Sequence, residues 1–128
     1  MRIVNIEKLN GCKNILLLGR PLSVNTVAKA LVEDPRNNIL YCPGALDFFE
    51  DYPAIAEDIC ATVDETEERT IIATQSKEFI DTLLESDLDF MVATVRTNQD
   101  TPDTYWLRVN SKADALACRR DFSMELRL

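Results

Sequence analysis

The stretch NILLLGRPLSVNTVAKALVED, residues 14–34, decides the fold of this chain. Its first part, residues 14–19, is a continuous apolar run that ends in Gly19, which is typical of a strand buried on both faces of a sheet. Residues 24–34 then place apolar side chains at helical spacing, and Pro35 is expected to end that helix. A buried strand followed directly by an amphipathic helix predicts a parallel sheet with helical crossovers.

The rest of the chain repeats this alternation of apolar strands and helices. The two late strands are expected to form an antiparallel hairpin, and Ser76 and Ser111 to cap the last two helices. We therefore predict one α/β domain over residues 1–128, a three-layer sandwich whose mainly parallel sheet has an antiparallel edge hairpin, either P-loop NTPase-like or Rossmann-like. The other predicted strands cover residues 1–6, 37–42, 70–75, 89–97 and 104–109, and the other predicted helices cover residues 53–63, 77–86 and 111–120.

The composition excludes several classes of function. The formal net charge is −8, so no dense basic face is expected for nucleic acid or for an anionic membrane. The chain has no histidine, which excludes imidazole bases and imidazole metal sites. Its four cysteines form no CxxC pair, which favours reduced thiols in a cytoplasmic protein. No apolar run approaches the roughly 20 residues of a membrane span.

The segment GRPLSVNT, residues 19–26, has the length and position of a phosphate-binding loop. In the pattern G-x-x-x-x-G-K-[ST], the glycines let backbone N–H groups approach the phosphates, the Lys neutralises their charge, and the Ser or Thr binds magnesium. This chain keeps Gly19 and Thr26, but it has Val24 in place of the second Gly and Asn25 in place of the Lys. The segment is therefore expected to be a remnant or a look-alike of a nucleotide site.

Three segments carry a resemblance to a known family: MRIVNIEKLNGCKNILLLGRPLSVNTVAKAL (1–31), ILYCPGALDFF (39–49) and TIIATQSKEFIDTLLE (70–85). Together with DFMVATVRT, YWLRVN and ALACRRDFSMELR, they resemble a shortened ABC-type P-loop ATPase, of the kind found in overcoming-lysogenisation-defect and related prokaryotic defence ATPases. The first segment is similar to the family's opening strands, loop and helix. The second is similar to its Asp-Glu motif, and the third to the strand and helix around its Ala-Thr-His-Ser. The family's large insertion and ABC signature sequence have no counterpart here.

The resemblance implies a domain that has lost its catalytic groups. The family's phosphate-binding Lys, magnesium-binding Asp, water-activating Glu and γ-phosphate-sensing His correspond to Asn25, Pro43, Gly44 and Gln75. Phosphoryl transfer depends on such charges, on a metal and on a positioned water, so hydrolysis is not expected and no cofactor or metal is assigned. The leading hypothesis is a non-catalytic, ATPase-like regulatory domain that binds a protein partner, either a full-length ATPase or a second copy, in a phage or defence context.

Three alternatives remain open. One is a sensor that binds nucleotide without hydrolysis through the degenerate loop positions, which are Gly19, Ser23, Asn25, Thr26 and Gln75. Another follows from GRPLSVNTVAKALVEDPRNNILYCPGA (19–45), which is also similar to the N-terminal domain of glycinamide ribonucleotide synthetase, although that family's extra glycines and its ATP-grasp remainder are missing. The third is an enzyme that uses Asp47 or Glu50 with magnesium.

The predicted sheet also indicates where a ligand would bind. Ligands of open parallel sheets bind in the crevice outside the carboxyl ends of the strands. In this sequence those ends are followed by the segments Gly19–Thr26, Cys42–Asp47 and Thr74–Lys77. We therefore expect any bound ligand to contact one or more of these three segments.

Overall fold

A computed structural model describes residues 1–32, 37–41, 57–58, 61–62, 65, 69–73 and 77–118. The helices are a 3₁₀ helix (Ile6–Leu9), α1 (Pro21–Val32), α2 (Lys77–Glu85) and α3 (Lys112–Ala117). Residues 57–58 and 61–62 are also helical, in agreement with part of the helix predicted over 53–63, and residue 65, beyond its predicted end, is helical too. The predicted α/β class is confirmed. The strands are β1 (Arg2–Val4), β2 (Asn14–Leu18), β3 (Asn37–Tyr41), β4 (Arg69–Ala73), β5 (Met91–Asn98) and β6 (Thr101–Ser111).

These strands form one mixed sheet in the order β1-β6-β5-β2-β4-β3. β2 pairs in parallel with both β4 and β5, and β3 pairs in parallel with β4. β5 and β6 form the predicted antiparallel hairpin. However, β1 lies outside β6 and parallel to it, with Ile3 opposite Tyr105. The prediction that the hairpin forms the edge of the sheet is therefore wrong, because the three-residue β1 adds a further strand to it.

The helices lie on opposite faces of the sheet because the two crossovers run in opposite directions. The chain leaves β2 through α1 and reaches β3 on one side of β2, whereas it leaves β4 through α2 and reaches β5 on the other side. Crossovers between parallel strands are right-handed in nearly all proteins. Two right-handed crossovers in opposite directions put α1 and α2 on opposite faces of the sheet. In such sheets a crevice opens between the two strands that precede these helices, at the carboxyl ends of β2 and β4.

Each face of the sheet has its own hydrophobic core, and β2 contributes to both. Ile15 and Leu17 pack with α1 on what we call the α1 face, and Leu16 and Leu18 pack with α2 on the α2 face. All four side chains are at most 1% exposed, as expected for a central strand covered on both faces. Full burial of a side chain of this size contributes roughly 1.5–3 kcal/mol, so the apolar run of β2 fixes the centre of the sheet.

Two local details of the last hairpin and helix bear on the predictions. The predicted six-residue connection is shorter than expected, since the turn consists of Gln99 and Asp100 and β6 already begins at Thr101. Ser111 caps α3 as predicted, with its Oγ accepting a hydrogen bond of 3.1 Å from the backbone N–H of Asp114. The predicted cap Ser76 lies outside the described residues. Within the described part of the chain, no helix has the length and apolarity to cross a membrane.

Candidate functional site

Gly19, directly after β2, is required by close packing against β5. Its φ is +144°, a value that side-chain-bearing residues rarely adopt. A Cβ atom at this position would lie 2.8 Å from the carbonyl oxygen of Val95 and 3.3 Å from Cγ2 of Val24. Both atoms belong to the packed interior, because Val24 and Val95 are 1% and 5% exposed. The glycine therefore has a structural explanation that does not need a phosphate nearby.

The segment after Gly19 is helical over most of its length. α1 begins at Pro21, and the backbone N–H of Val24 donates a 2.9 Å hydrogen bond to the carbonyl oxygen of Arg20. The predicted start of this helix at residue 24 is therefore wrong by one turn. Proline suits the first position of a helix, because its φ is already helical and its missing N–H would have no intrahelical acceptor. Residues 21–26 thus form the first turn and a half of α1.

The predicted nucleotide-loop residues are only partly brought together. Gly19 and Ser23 line a common cavity. Asn25 is exposed on α1, and the hydroxyl of Thr26 donates a 2.8 Å hydrogen bond to the carbonyl oxygen of Leu22 one turn earlier. Gln75 lies outside the described residues. A role in nucleotide binding for these five residues stays a prediction. The second and third predicted segments, 42–47 and 74–77, fall outside the described residues, apart from the backbone of Lys77.

The cavity lies where the carboxyl ends of β2 and β5 meet the start of α1, and we call it the β2–β5 cavity. Its volume is about 290 Å³. Pockets for drug-sized ligands usually occupy 300–1,000 Å³, so this cavity fits a small group. The residues that line it are Gly19, Arg20, Ser23, Thr94, Val95, Arg96, Thr97 and Gln99.

The lining of the β2–β5 cavity is basic in an acidic protein. Among the described residues that line it, Arg20 and Arg96 are the charged ones, and each also interacts with another group, whereas the whole chain has a net charge of −8. A concave site with one sign of charge raises the local concentration of ions of the opposite sign. The described residues also contain no group of three Cys, Asp or Glu side chains that could hold a metal ion.

One residue of this lining, Thr94, has a buried hydroxyl without a hydrogen-bond partner among the described residues. Its side chain is 3% exposed, and its hydroxyl has no hydrogen-bond partner among the described residues. Leaving such a group unpaired in the interior costs about 1–3 kcal/mol. The other two buried polar atoms in this condition, Asn14 Oδ1 and Thr70 Oγ1, do not line the β2–β5 cavity.

Sequence reasoning missed the contribution of β5 to this site. It treated β5 only as half of an antiparallel hairpin, and so did not count its end among the carboxyl ends of parallel strands. In the structure β5 is parallel to β2, with Leu18 opposite Thr94. The available signal was the change from the apolar run MVATV to the polar segment RTNQ at residues 96–99. The rule that ligands bind at the carboxyl ends of parallel strands, which selected Gly19, would also have selected residues 96–99.

A second cavity lies at the opposite end of the same strands. It measures about 460 Å³, and its lining includes Cys12, Asn14 and Asp89. Asn14 Nδ2 donates a 3.0 Å hydrogen bond to the carbonyl oxygen of Asp89, which ties the starts of β2 and β5 together. This is the amino end of the parallel strands, where α/β sheets do not ordinarily bind ligands. The contacts there support a structural role.

The site residues named by the remaining alternatives are not covered by the structure. Pro43, Gly44, Asp47 and Glu50 lie outside the described residues, so an enzymatic role for Asp47 or Glu50 stays a prediction. The resemblances to ABC-type ATPases and to glycinamide ribonucleotide synthetase also stay predictions. Comparison of this chain with family models, curated proteins and solved structures found no match. The candidate site is accordingly defined by geometry, and it is the basic β2–β5 cavity.

Proposed function

We propose that this protein is a non-catalytic, ATPase-like regulatory domain that acts by binding another protein. One observation carries the proposal: α1 begins at Pro21, so the segment in the position of a phosphate-binding loop is helical. Val24, which occupies the place of that loop's second glycine, is 1% exposed and packs in the core of the α1 face. A triphosphate is held by consecutive loop N–H groups that approach it closely, and residues committed to a helix and a core do not supply them.

The chemistry of the β2–β5 cavity also favours binding over hydrolysis. Phosphoryl transfer uses carboxylates to hold magnesium and a further group to orient the attacking nucleophile. The described residues of the cavity lining include two arginines and no carboxylate. The sequence has Asn25, Pro43, Gly44 and Gln75 at the four charged positions of the resembled motifs, and the last three lie outside the described residues. Arginine side chains attract a phosphate, but by themselves they do not activate water.

The partner that we propose is a full-length ATPase of the resembled kind or a second copy of this chain, in a cytoplasmic phage or defence setting. The acidic net charge of −8 supports a protein partner over nucleic acid or an anionic membrane. A substitution at Leu22 can test whether this surface contacts another protein. It is 83% exposed on the first turn of α1, next to the cavity residue Ser23. Single exposed leucines are common on soluble proteins. The effect of a substitution at Leu22 must therefore be compared with that of the same substitution at another exposed leucine, Leu116.

The absence of catalysis is tested by phosphate release from ATP with magnesium. We expect the purified protein to release no more phosphate than buffer does. The Arg20→Gln variant serves as the control for contaminating ATPases, because it changes the cavity lining without changing the purification. Release by the parent protein that disappears in Arg20→Gln would refute the non-catalytic proposal. Equal release by both proteins would identify a contaminant.

Self-association is tested by sedimentation equilibrium over a range of protein concentrations. If the partner is a second copy bound through the start of α1, Leu22→Ser weakens association. The matched control is Leu116→Ser on α3, a leucine that is 40% exposed and lies on the opposite face from α1. A protein that stays monomeric at all concentrations would eliminate the second copy as the partner and leave the full-length ATPase.

The second candidate is a sensor that binds nucleotide without cleaving it, and the β2–β5 cavity is the observation that favours it. Gly19 and Ser23, two of the predicted contacts, line that cavity. Calorimetric titration with ATP, ADP and GTP, with and without magnesium, tests this candidate. Replacing Val24 by Gly to restore the loop would remove a core side chain, so Ser23→Ala is the more informative variant. Saturable binding weakened by Ser23→Ala would support the sensor, and no binding would exclude it.

A further inference from the structure

Asn10 and Gly11 form the turn between the 3₁₀ helix and β2, and they are the only Asn-Gly pair in the sequence. Both residues are exposed. Asparagine is chemically labile in proteins, most of all before glycine, whose unhindered backbone nitrogen can attack the side-chain amide. We infer that Asn10 is a site of spontaneous conversion to aspartate and isoaspartate, and that the isoaspartate form weakens the hold of Arg69 on this turn.

The conversion needs only these two residues and water. The backbone nitrogen of Gly11 loses its proton and forms a bond to Cγ of Asn10, and the bond from Cγ to Nδ2 breaks as ammonia leaves with that proton. Water then opens the cyclic imide. Hydrolysis at Cγ gives aspartate, whereas hydrolysis at the backbone carbonyl carbon of Asn10 gives isoaspartate. Each product carries a new carboxylate, so the net charge becomes one unit more negative than −8.

The geometry of the turn leaves the reacting groups accessible. Gly11 has a φ of +80°, and nothing lies within 4 Å of a Cβ built on it. Asn10 has a ψ of 131°, so the peptide group between the two residues must rotate before the ring closes. Within the described part of the chain, neither this peptide group nor the Asn10 side chain makes a hydrogen bond. Because glycine adopts φ values of either sign, the rotation is open to this turn.

Asn110 provides the contrast within the same protein. It is followed by Ser111, another small residue, but it lies in β6 opposite Val92 of β5. Ser111 also caps α3, where its Oγ accepts a hydrogen bond from the backbone N–H of Asp114. Rotation of the peptide group between Asn110 and Ser111 would disrupt both the strand pairing and the cap. The structure therefore exposes Asn10 to this reaction and protects Asn110 from it.

Arg69 gives the isoaspartate form a structural consequence. Its Nη2 donates a 2.7 Å hydrogen bond to the carbonyl oxygen of Leu9, before Asn10, and its Nε donates one of 2.7 Å to that of Cys12, after Gly11. Isoaspartate adds one methylene group to the main chain between these carbonyls, a lengthening of about 1.5 Å. The planar guanidinium has a fixed geometry, so it cannot keep both bonds unchanged. Aspartate leaves the main chain, and therefore both bonds, as they are.

Peptide mapping of the intact protein after incubation at mildly alkaline pH tests the conversion. Trypsin releases residues 9–13 and 109–112 as separate peptides, and a zero-time sample corrects for conversion during digestion. We expect Asn10 to convert at least about tenfold faster than Asn110, and no more than about tenfold slower than it does in a free peptide of residues 9–13. The rate should rise with pH, because the Gly11 nitrogen must lose its proton.

Two variants separate the structure of the turn from its sequence. Gly11→Ala should slow the conversion of Asn10 at least about tenfold, equivalent to about 1.4 kcal/mol in activation free energy, because the added Cβ hinders the nitrogen. The matched variant Ser111→Gly gives Asn110 the same following residue inside a paired strand, where conversion should stay about tenfold slower than at Asn10. Equal rates at the two sites in Ser111→Gly, or a free peptide that converts far more than tenfold faster than the folded protein, would overturn the inference.

Urea unfolding tests the role of Arg69. Anion exchange separates the converted protein by its added charge, and Asn10→Asp supplies the aspartate form directly. We expect Asn10→Asp to unfold at the same urea concentration as the parent and the isoaspartate form to unfold about 1 M lower. In the Arg69→Met background this difference should largely disappear. Equal midpoints for the isoaspartate form and Asn10→Asp, or an undiminished difference in Arg69→Met, would refute the role of Arg69.

Discussion

Replacing Gly19 by Ala tests whether the contact between β2 and β5 determines the glycine at the end of β2. The new Cβ would lie 2.8 Å from the Val95 carbonyl oxygen and 3.3 Å from Val24 Cγ2. The first separation is too short for any real contact, so β5 or the start of α1 must move. The φ of +144° adds backbone strain, because alanine disfavours that region.

The expected loss of stability follows from two contributions. Backbone strain in a sparsely populated φ/ψ region costs of order 1–3 kcal/mol, and forcing an extra carbon into a packed interior costs about 1–3 kcal/mol. We therefore expect the free energy of unfolding to fall by about 4 kcal/mol. With a urea dependence of about 2 kcal/mol per molar, the midpoint of urea unfolding falls by about 2 M. For a domain with a total stability of about 5–15 kcal/mol, this is a large share.

Gly11→Ala is the matched control for this experiment. Gly11 also has a positive φ, +80°, but nothing lies within 4 Å of a Cβ built on it. Gly11→Ala should therefore lower the free energy of unfolding only through the strain of a left-handed backbone, by about 1–2 kcal/mol. Urea unfolding followed by far-ultraviolet circular dichroism measures both variants. Equal losses for Gly19→Ala and Gly11→Ala would refute the reasoning, because the close approach of β5 would then contribute nothing.

Three further substitutions test other parts of the fold, each by urea unfolding. Arg69→Met should lower the free energy of unfolding by about 2 kcal/mol, because Arg69 Nε and Nη2 donate 2.7 Å hydrogen bonds to the carbonyl oxygens of Cys12 and Leu9. A loss below about 0.5 kcal/mol would mean that water replaces these bonds. Thr70→Val should leave the protein as stable or up to about 1 kcal/mol more stable, since the buried hydroxyl has no partner among the described residues; a clear loss would reveal a hidden partner. Ser111→Ala should cost about 1 kcal/mol through loss of the cap of α3, and no change would show that α3 does not depend on its cap.

The central strands and their helices were predictable because their patterns leave few alternatives. The run ILLL in β2 and the run IIA in β4 are continuous and apolar, so each needs cover on both faces, and both are buried as expected. Ser111 before an apolar run predicts a helix start, and the observed cap confirms it. The start of α1 was predicted too late, because the apolar spacing was counted from Val24, while Pro21 had already set the helical φ.

The candidate site was predictable only in the half that follows β2. The rule that ligands lie at the carboxyl ends of parallel strands selected Gly19 and Ser23, and both line the β2–β5 cavity. It did not select Arg96 or Thr94, because the direction of β5 relative to β2 is not encoded by a local pattern. An apolar strand of a hairpin has the same sequence pattern whether its other neighbour runs parallel or antiparallel to it.

The sequence by itself determined the α/β class, the buried strands at the centre of the sheet and the cap of the last helix. These properties follow from local hydrophobic periodicity and from the identity of single residues. The tertiary structure decided that β1 extends the sheet beyond the hairpin and that β5 lies parallel to β2. It thereby brought Arg96 and Thr94 beside Gly19 and Arg20. Strand pairing is a long-range choice, made by packing both faces of the sheet at once, and the basic cavity is a consequence of that choice.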